Sequence, residues 1–191
     1  MTLDQIHNTI LGCQDCELRG GCISPVPGSG PAHSTVMAIG EGPGAKEDEL
    51  GIPFSGESGK MLRKMIADSG IPEPFYTNIV KCRPPGNRDP KPGEINACLH
   101  YLDEQIEAVQ PSVIITVGRY AMAQFLPDES IMRARGTPRI VHGRVILPII
   151  HTAAALRRPE LVPLIAGDLR LVARLLSTPI KPAQVAKLTM L

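Results

Sequence analysis

The chain has 191 residues, 43% of them apolar, which is enough to bury one well-formed core. Its formal charge is only +1, so no global basic field marks it for a polyanionic partner, although a local patch would be sufficient. Trp is absent, and any stacking residue must come from three Tyr and three Phe. No apolar run approaches membrane-spanning length, and residues 1–11 read as a mixed helical pattern rather than a signal peptide. The expectation is a cytoplasmic protein with no membrane partner.

Leu3, Ile6, Ile10 and Leu11 recur at helical spacing, with Thr2 or Asp4 as candidate caps, and this helix delivers Cys13 and Cys16. Residues 19–34 are rich in Gly, Pro and Ser and read as a loop. Residues 35–39 form a short apolar strand that ends at Gly40-Glu41-Gly42-Pro43-Gly44. Leu62, Met65 and Ile66 mark the core face of a helix stopping near Gly70.

A second strand is expected over 76–81, followed by a Pro/Gly/Arg loop over 83–93. Ile95, Cys98, Leu99, Leu102, Ile106 and Val109 define a long amphipathic helix. Residues 112–117 are almost wholly apolar, as in a parallel strand covered on both faces. Residues 139–141 and 145–147 flank His142-Gly143, a candidate hairpin turn. A last helix is expected over about 159–176, and 179–191 read as a loose, Pro/Lys-rich tail behind a single domain of residues 1–178.

Strands and helices alternate, which predicts an α/β fold: three layers, α/β/α, around a mostly parallel sheet. In such sheets ligands bind beyond the carboxyl ends of the strands. Glu41, Asn78 and His151 fall at or near those ends.

Four cysteines stand in two short pairs, C-x2-C at Cys13/Cys16 and C-x15-C at Cys82/Cys98. In a reducing compartment such pairs favour metal over disulfide. Four convergent thiolates suit structural zinc or an iron–sulfur cluster, and spacing does not separate the two. The plainer alternative makes Cys82 and Cys98 small core residues. Cys22 reads as spare.

The glycine turn is neither the dinucleotide pattern G-x-G-x-x-G nor a phosphate-binding P-loop, and Pro43 removes one amide donor. Taken alone it is a tight strand-to-helix turn. Its partners lie in order along the chain: GEGPGAKEDELGIPFSGESGKML from Gly40, YTNIVKCRPPGNRDP from Tyr76 and IIHTAAALRRP from Ile149.

With the cysteine spacing, these three stretches resemble the family 4 uracil-DNA glycosylases, the iron–sulfur branch of that superfamily. The resemblance runs from about Cys13 to Leu176. It implies hydrolysis of the N-glycosidic bond of deoxyuridine in DNA to leave an abasic site, which begins base excision repair. Glu41 matches the acidic position of the first motif, where a carboxylate orients water and stabilises the sugar cation; Asp48 is the lesser candidate, read as a structural cap. Gly40 and Gly42 would let the backbone approach the base. Phe54 matches the stacking aromatic, Asn78 the amide that reads the base edge, and His151 the histidine that bonds O2 as charge develops there.

In the last motif, Leu156 is the candidate apolar wedge, with Arg157 and Arg158 as phosphate contacts. Lys81, Arg83, Arg88 and Lys91 read as a local basic set beside the DNA, with Arg83 and Arg88 its leading members. The resemblance assigns Cys13, Cys16, Cys82 and Cys98 to a [4Fe–4S] cluster that fixes geometry rather than performing redox chemistry. A monomer is the expectation for a base-flipping enzyme of this size, nucleoid-associated in the cytoplasm and working beside downstream base excision repair proteins. The family usually has proline where this chain has Thr152. That departure sustains an alternative: a non-catalytic, metal-stabilised module recognising uracil-containing or damaged DNA. A zinc-stabilised nucleotide hydrolase is disfavoured for want of a carboxylate cluster. No lysine occupies a position matched to Schiff-base attack, and no long basic insertion separates Glu41 from Asn78, so turnover without lyase activity or covalent trapping is expected.

Overall fold

The computed structural model describes residues 1–177; the expected tail lies outside them. Its centre is a five-stranded sheet: β1 (Val36–Gly40), β2 (Phe75–Asn78), β3 (Val113–Val117), β4 (Arg139–Val141) and β5 (Arg144–Ile149). The order is β2-β1-β3-β5-β4, parallel except for the antiparallel β4–β5 pair. That pair is the hairpin expected at His142-Gly143, and both turn residues have positive φ, as a tight primed turn demands.

Every residue of β1, β2 and β3 is buried. Alternate side chains serve opposite faces. Met37, Ile39, Phe75, Ile114 and Ile146 pack with Ile6 and Ile10 of α1 (Leu3–Gly12) and with Leu102 and Ile106 of α4 (Pro92–Val109). Val36, Ala38, Tyr76, Ile115 and Leu147 pack with Leu62 and Ile66 of α3 (Glu57–Asp68) and Leu169 and Val172 of α8 (Val162–Ser177). Helices thus cover both faces, the expected three-layer arrangement.

The caps explain several boundaries. Thr2 and Gln5 form a reciprocal capping box on α1. Pro92 opens α4 at a position where its missing N–H costs nothing. The edge of β2 is covered by the glycine- and proline-rich segment, because Ser29 exchanges both backbone hydrogen bonds with Tyr76 (2.9 and 2.7 Å).

Some expectations are corrected. β2 ends at Asn78 rather than 81, and the chain then bends towards Cys82. The segment after His151 is a short helix, α7 (Thr152–Arg157). Three further short helices punctuate the connections: α2 (Ala45–Leu50), α5 (Arg119–Ala123) and α6 (Ile131–Ala134). Among the described residues no helix is long and apolar enough to cross a membrane.

Candidate active site

An open cleft of about 1240 Å³ lies past the carboxyl ends of the parallel strands, bordered by Glu41, Phe54, Asn78, His151 and Arg157. Residues from three distant sequence motifs therefore meet at one place. Gly40 and Asn78 are register partners at the ends of β1 and β2. A Cβ on Gly40 would overlap Asn78 Oδ1 and come within 2.7 Å of Phe54 Cζ. Glycine is required there because the Asn amide and the Phe ring share that space. Gly42 lines the cleft as well, and a Cβ on it would meet Val80 Cγ2 at 2.7 Å.

His151 is the N-cap of α7. Its Nδ1 accepts the Ala153 N–H at 3.1 Å. In the neutral ring the proton must then sit on Nε2, as a donor. Burial pushes the imidazole below its ordinary pKa, partly offset by Glu47, so the neutral form is favoured. Gly118 has φ 90°, and a Cβ on it would lie 3.1 Å from His151 Cβ, so the turn after β3 packs closely on the histidine. Thr152 is fully buried, and its hydroxyl donates to the Ser58 carbonyl at 2.7 Å. The residue standing where the family usually has proline thus ties the histidine segment to the first turn of α3.

Glu41 is half-buried at the end of β1. Burial raises its pKa to about 7; the Asp89 charge adds to that rise and Arg119 opposes it. Asp89 and Arg119 are themselves paired at 2.5 Å. A carboxyl poised near neutrality can hold a water and accept its proton.

Glu47 also borders the cleft, a residue that sequence reasoning passed over. Its Oε1 accepts the Gly56 N–H at 2.9 Å, and its carboxylate occupies space left open by Gly44 and Gly56. Asp48, one position on, faces the other way and accepts the Ile23 N–H at 2.9 Å, as a structural cap would. The available signal was the pair of glycines flanking Glu47 in a short acidic helix.

The basic residues divide. Arg157 lines the cleft, and Leu156 beside it is 48% exposed. Arg158 pairs with exposed Glu160, and Arg83 Nε donates to Asn87 Oδ1 at 2.7 Å. Arg88 reaches the cleft, but both its terminal nitrogens grip Glu94 (2.8 and 2.6 Å), which anchors the loop to α4. Lys81 does not belong to a surface basic set at all. It is 2% exposed, and its Nζ donates to the Asn78 carbonyl (2.7 Å), Thr77 Oγ1 (2.8 Å) and Gln105 Oε1 (2.8 Å). Burial pulls its pKa down to about 8.

On the far side of Lys81, Cys13, Cys16, Cys82 and Cys98 line one small cavity with apolar walls that include Ile10, Leu18 and Val80. Cys13 caps the end of α1 and Cys98 lies on α4, so the thiols come from separate segments. Burial pushes the Cys82 thiol far up, and the neighbouring Cys22, Cys98 and Cys16 reinforce this; burial likewise raises Cys98 and Cys16. The Cys16, Cys82 and Cys98 thiols so arranged resist becoming thiolates without a cation among them, which is compatible with a metal-ligand set. Among the described residues, no three His, Cys, Asp or Glu side chains form a ready-made site for a single ion.

The strand-end cleft and its partners define an α/β enzyme of the uracil DNA glycosylase superfamily, whose family model matches residues 27–170. Similar proteins include the type-4 uracil-DNA glycosylase of Saccharolobus solfataricus, 40% identical over 92% of this chain and 87% of that one. That of Archaeoglobus fulgidus is 38% identical over 91% and 93%, and that of Sulfurisphaera tokodaii 36% over 93% and 86%. The chain belongs to the type-4 uracil-DNA glycosylase family.

Proposed function

We propose that this chain hydrolyses the N-glycosidic bond of deoxyuridine in DNA, releasing uracil and leaving an abasic site. One observation carries the reading: the Asn78 amide, the Phe54 ring, the Nε2 side of a neutral His151 and the Glu41 carboxylate border one cleft at the strand ends. A flipped base would stack on Phe54 while Asn78 accepts from its N3–H and donates to O4; cytosine presents the reverse pattern and is refused. As the C1′–N1 bond breaks, its electron pair passes to the base, and His151 Nε2–H bonds the oxygen at O2 where charge accumulates. Glu41 faces the sugar cation, aligns the water that forms the new bond to C1′, and takes its proton. Leu156, with Arg157 and Arg158 beside it, would enter the gap left by the flipped nucleotide and hold the flanking phosphates.

We read the four thiols, which line one apolar-walled cavity, as ligands of a [4Fe–4S] cluster, with structural zinc as the alternative. Cys13, Cys16, Cys82 and Cys98 would hold it, and when bound it supplies a cross-link between α1, the segment after β2 and α4. We take residues 1–178 as one glycosylase domain acting as a monomer on nucleoid DNA, its abasic product passing to later repair enzymes.

The test is a labelled duplex with a single U, incubated with the protein and then treated with alkali. Cleavage at that position, lost in Glu41→Gln and in His151→Ala, is expected. A protein that binds the U-containing duplex but never yields an alkali-labile site would instead be a recognition module.

A further inference from the structure

Phe54 has φ 55°, the left-handed region. The other non-glycine residues of that conformation among the described residues are Asn87, Gln110 and His142, all with polar side chains; a bulky aromatic there is an outlier. Such a conformation persists only where the surroundings impose it. Two contacts from α3 do so. The backbone at Gly59 presses so closely that a Cβ would overlap the Phe54 Cα, carbonyl carbon and oxygen. One turn later, Arg63 Nε donates to the Phe54 carbonyl (3.2 Å) and its Nη2 to the Pro53 carbonyl (3.0 Å).

The guanidinium is itself held in place. It lies 3.8 Å over the Tyr76 ring, with Nη1 on Glu73 (3.1 Å) and Nη2 also on Ser29 Oγ (3.3 Å). The Tyr76 ring in turn packs on Phe54, with centroids 5.7 Å apart. Arg63 therefore grips both consecutive carbonyls beneath the stacking ring and stands on the aromatic behind it.

We propose that Arg63 is a positioning residue for base recognition: its fork locks Phe54 in the left-handed conformation that presents the ring beside Gly40 and Asn78. The role rests on the functional reading above, since it acts through the ring on which uracil stacks. A planar fork with several donors is needed to reach two carbonyls while lying flat on Tyr76, and a lysine ammonium does not replace it.

The experiment compares Arg63→Met, Arg63→Lys and Glu73→Ala, alone and in a Phe54→Ala background, by kcat/KM on U-containing DNA. NMR of Phe-labelled protein accompanies it, because the chain has only three phenylalanines. Expected is a loss on the order of 10- to 100-fold for Arg63→Met, the scale of a misplaced binding group. Arg63→Lys should restore little of it, and Glu73→Ala, which removes only one of the contacts that hold the guanidinium, should lose less than Arg63→Met. The Arg63 effect should vanish in the Phe54→Ala background. Phe54 signals should lose their contacts to Tyr76 while Phe75 signals, deep in the core, stay unchanged and report an intact fold. An equal loss with Phe54 already removed, or undisturbed Phe54 signals in both Arg63 variants, would overturn the proposal. If wild-type protein releases no uracil, the functional reading fails; the NMR comparison still decides the clamp.

Discussion

The cleft and the cysteine cavity lie on either side of the segment from Asn78 to Cys82, and they are held by different means. The cleft is fastened by hydrogen bonds among its own walls: Arg63 to the Phe54 backbone, Glu47 to Gly56, Thr152 to Ser58, Ala153 to His151. The cavity has apolar walls and few polar ties, chiefly the Lys81 N–H on Cys98 Sγ (3.3 Å) and the Asp15 N–H on Cys13 Sγ (3.5 Å). The chain alone therefore sets the shape of the first. The second gathers thiols whose charged forms are unfavourable until a cation joins them. On the proposed reading, chemistry sits where the polypeptide is self-sufficient, and the thiol end contributes fold stability.

The largest break in that contrast should come from Glu41→Gln. Loss of the water-aligning carboxylate predicts a fall of ~10²- to 10⁴-fold in single-turnover uracil release, with His151→Ala close behind. Visible absorption and thermal midpoint should barely move, because neither side chain supports the thiol cavity.

Cys98→Ala should do the opposite. It removes one of the four proposed ligands and the acceptor of the Lys81 N–H. The expected outcome is loss of the visible absorption of purified protein and a lower Tm than any single cleft variant shows. Activity should fall only in parallel with the folded fraction. A Cys98→Ala protein that kept its colour and Tm would return Cys98 to an ordinary core residue.

Much of this contrast is legible in the amino-acid order. The apolar runs of β1 and β3, the capped α1 and the long α4 follow from period and composition. The cysteine pairs and the glycine turn signal their sites because spacing and residue type are local properties. Lys81 is not legible in the same way. A lysine beside two arginines reads as solvated, and only the tertiary fold brings Gln105 of α4 and the Asn78 carbonyl around its ammonium. Arg63 is similar: one helical position among several charged ones, given its role by two carbonyls nine and ten residues earlier. Glu47 and Asp48 are adjacent in sequence, and only the roughly 100° turn between successive helical residues decides which faces the cleft.

A smaller effect is expected at Thr152. Removing its hydroxyl in Thr152→Val deletes one buried hydrogen bond and leaves the Ser58 carbonyl unpaired, about 1 kcal/mol of stability. With 177 described residues, a Tm fall of roughly 2–4 °C follows. Thr152→Pro loses the same bond but gains a fixed φ at the first position of α7, where proline is well accommodated. Uracil release by the proline variant should stay within a few-fold of wild type. A sharp gain in Thr152→Pro would mean that the Ser58 tie is a poor substitute for ring rigidity.

The finest adjustment concerns the pH dependence of Glu41. Burial pushes its carboxyl up to about 7, and the ionised form is the one proposed to align the water, so activity should fall as pH drops through 7. Asp89 pushes that pKa up and Arg119 holds it down. Asp89→Asn removes a negative neighbour and also frees the Arg119 cation from its partner, and both changes favour the carboxylate. The acid limb of kcat/KM should move to lower pH. Arg119→Gln leaves Asp89 uncompensated, and the limb should move to higher pH. Neither substitution should alter the plateau rate much, since neither residue is among those proposed to contact the base. Opposite displacements by two members of one ion pair would identify Glu41 as the titrating group, whereas equal limbs in both variants would assign the titration elsewhere.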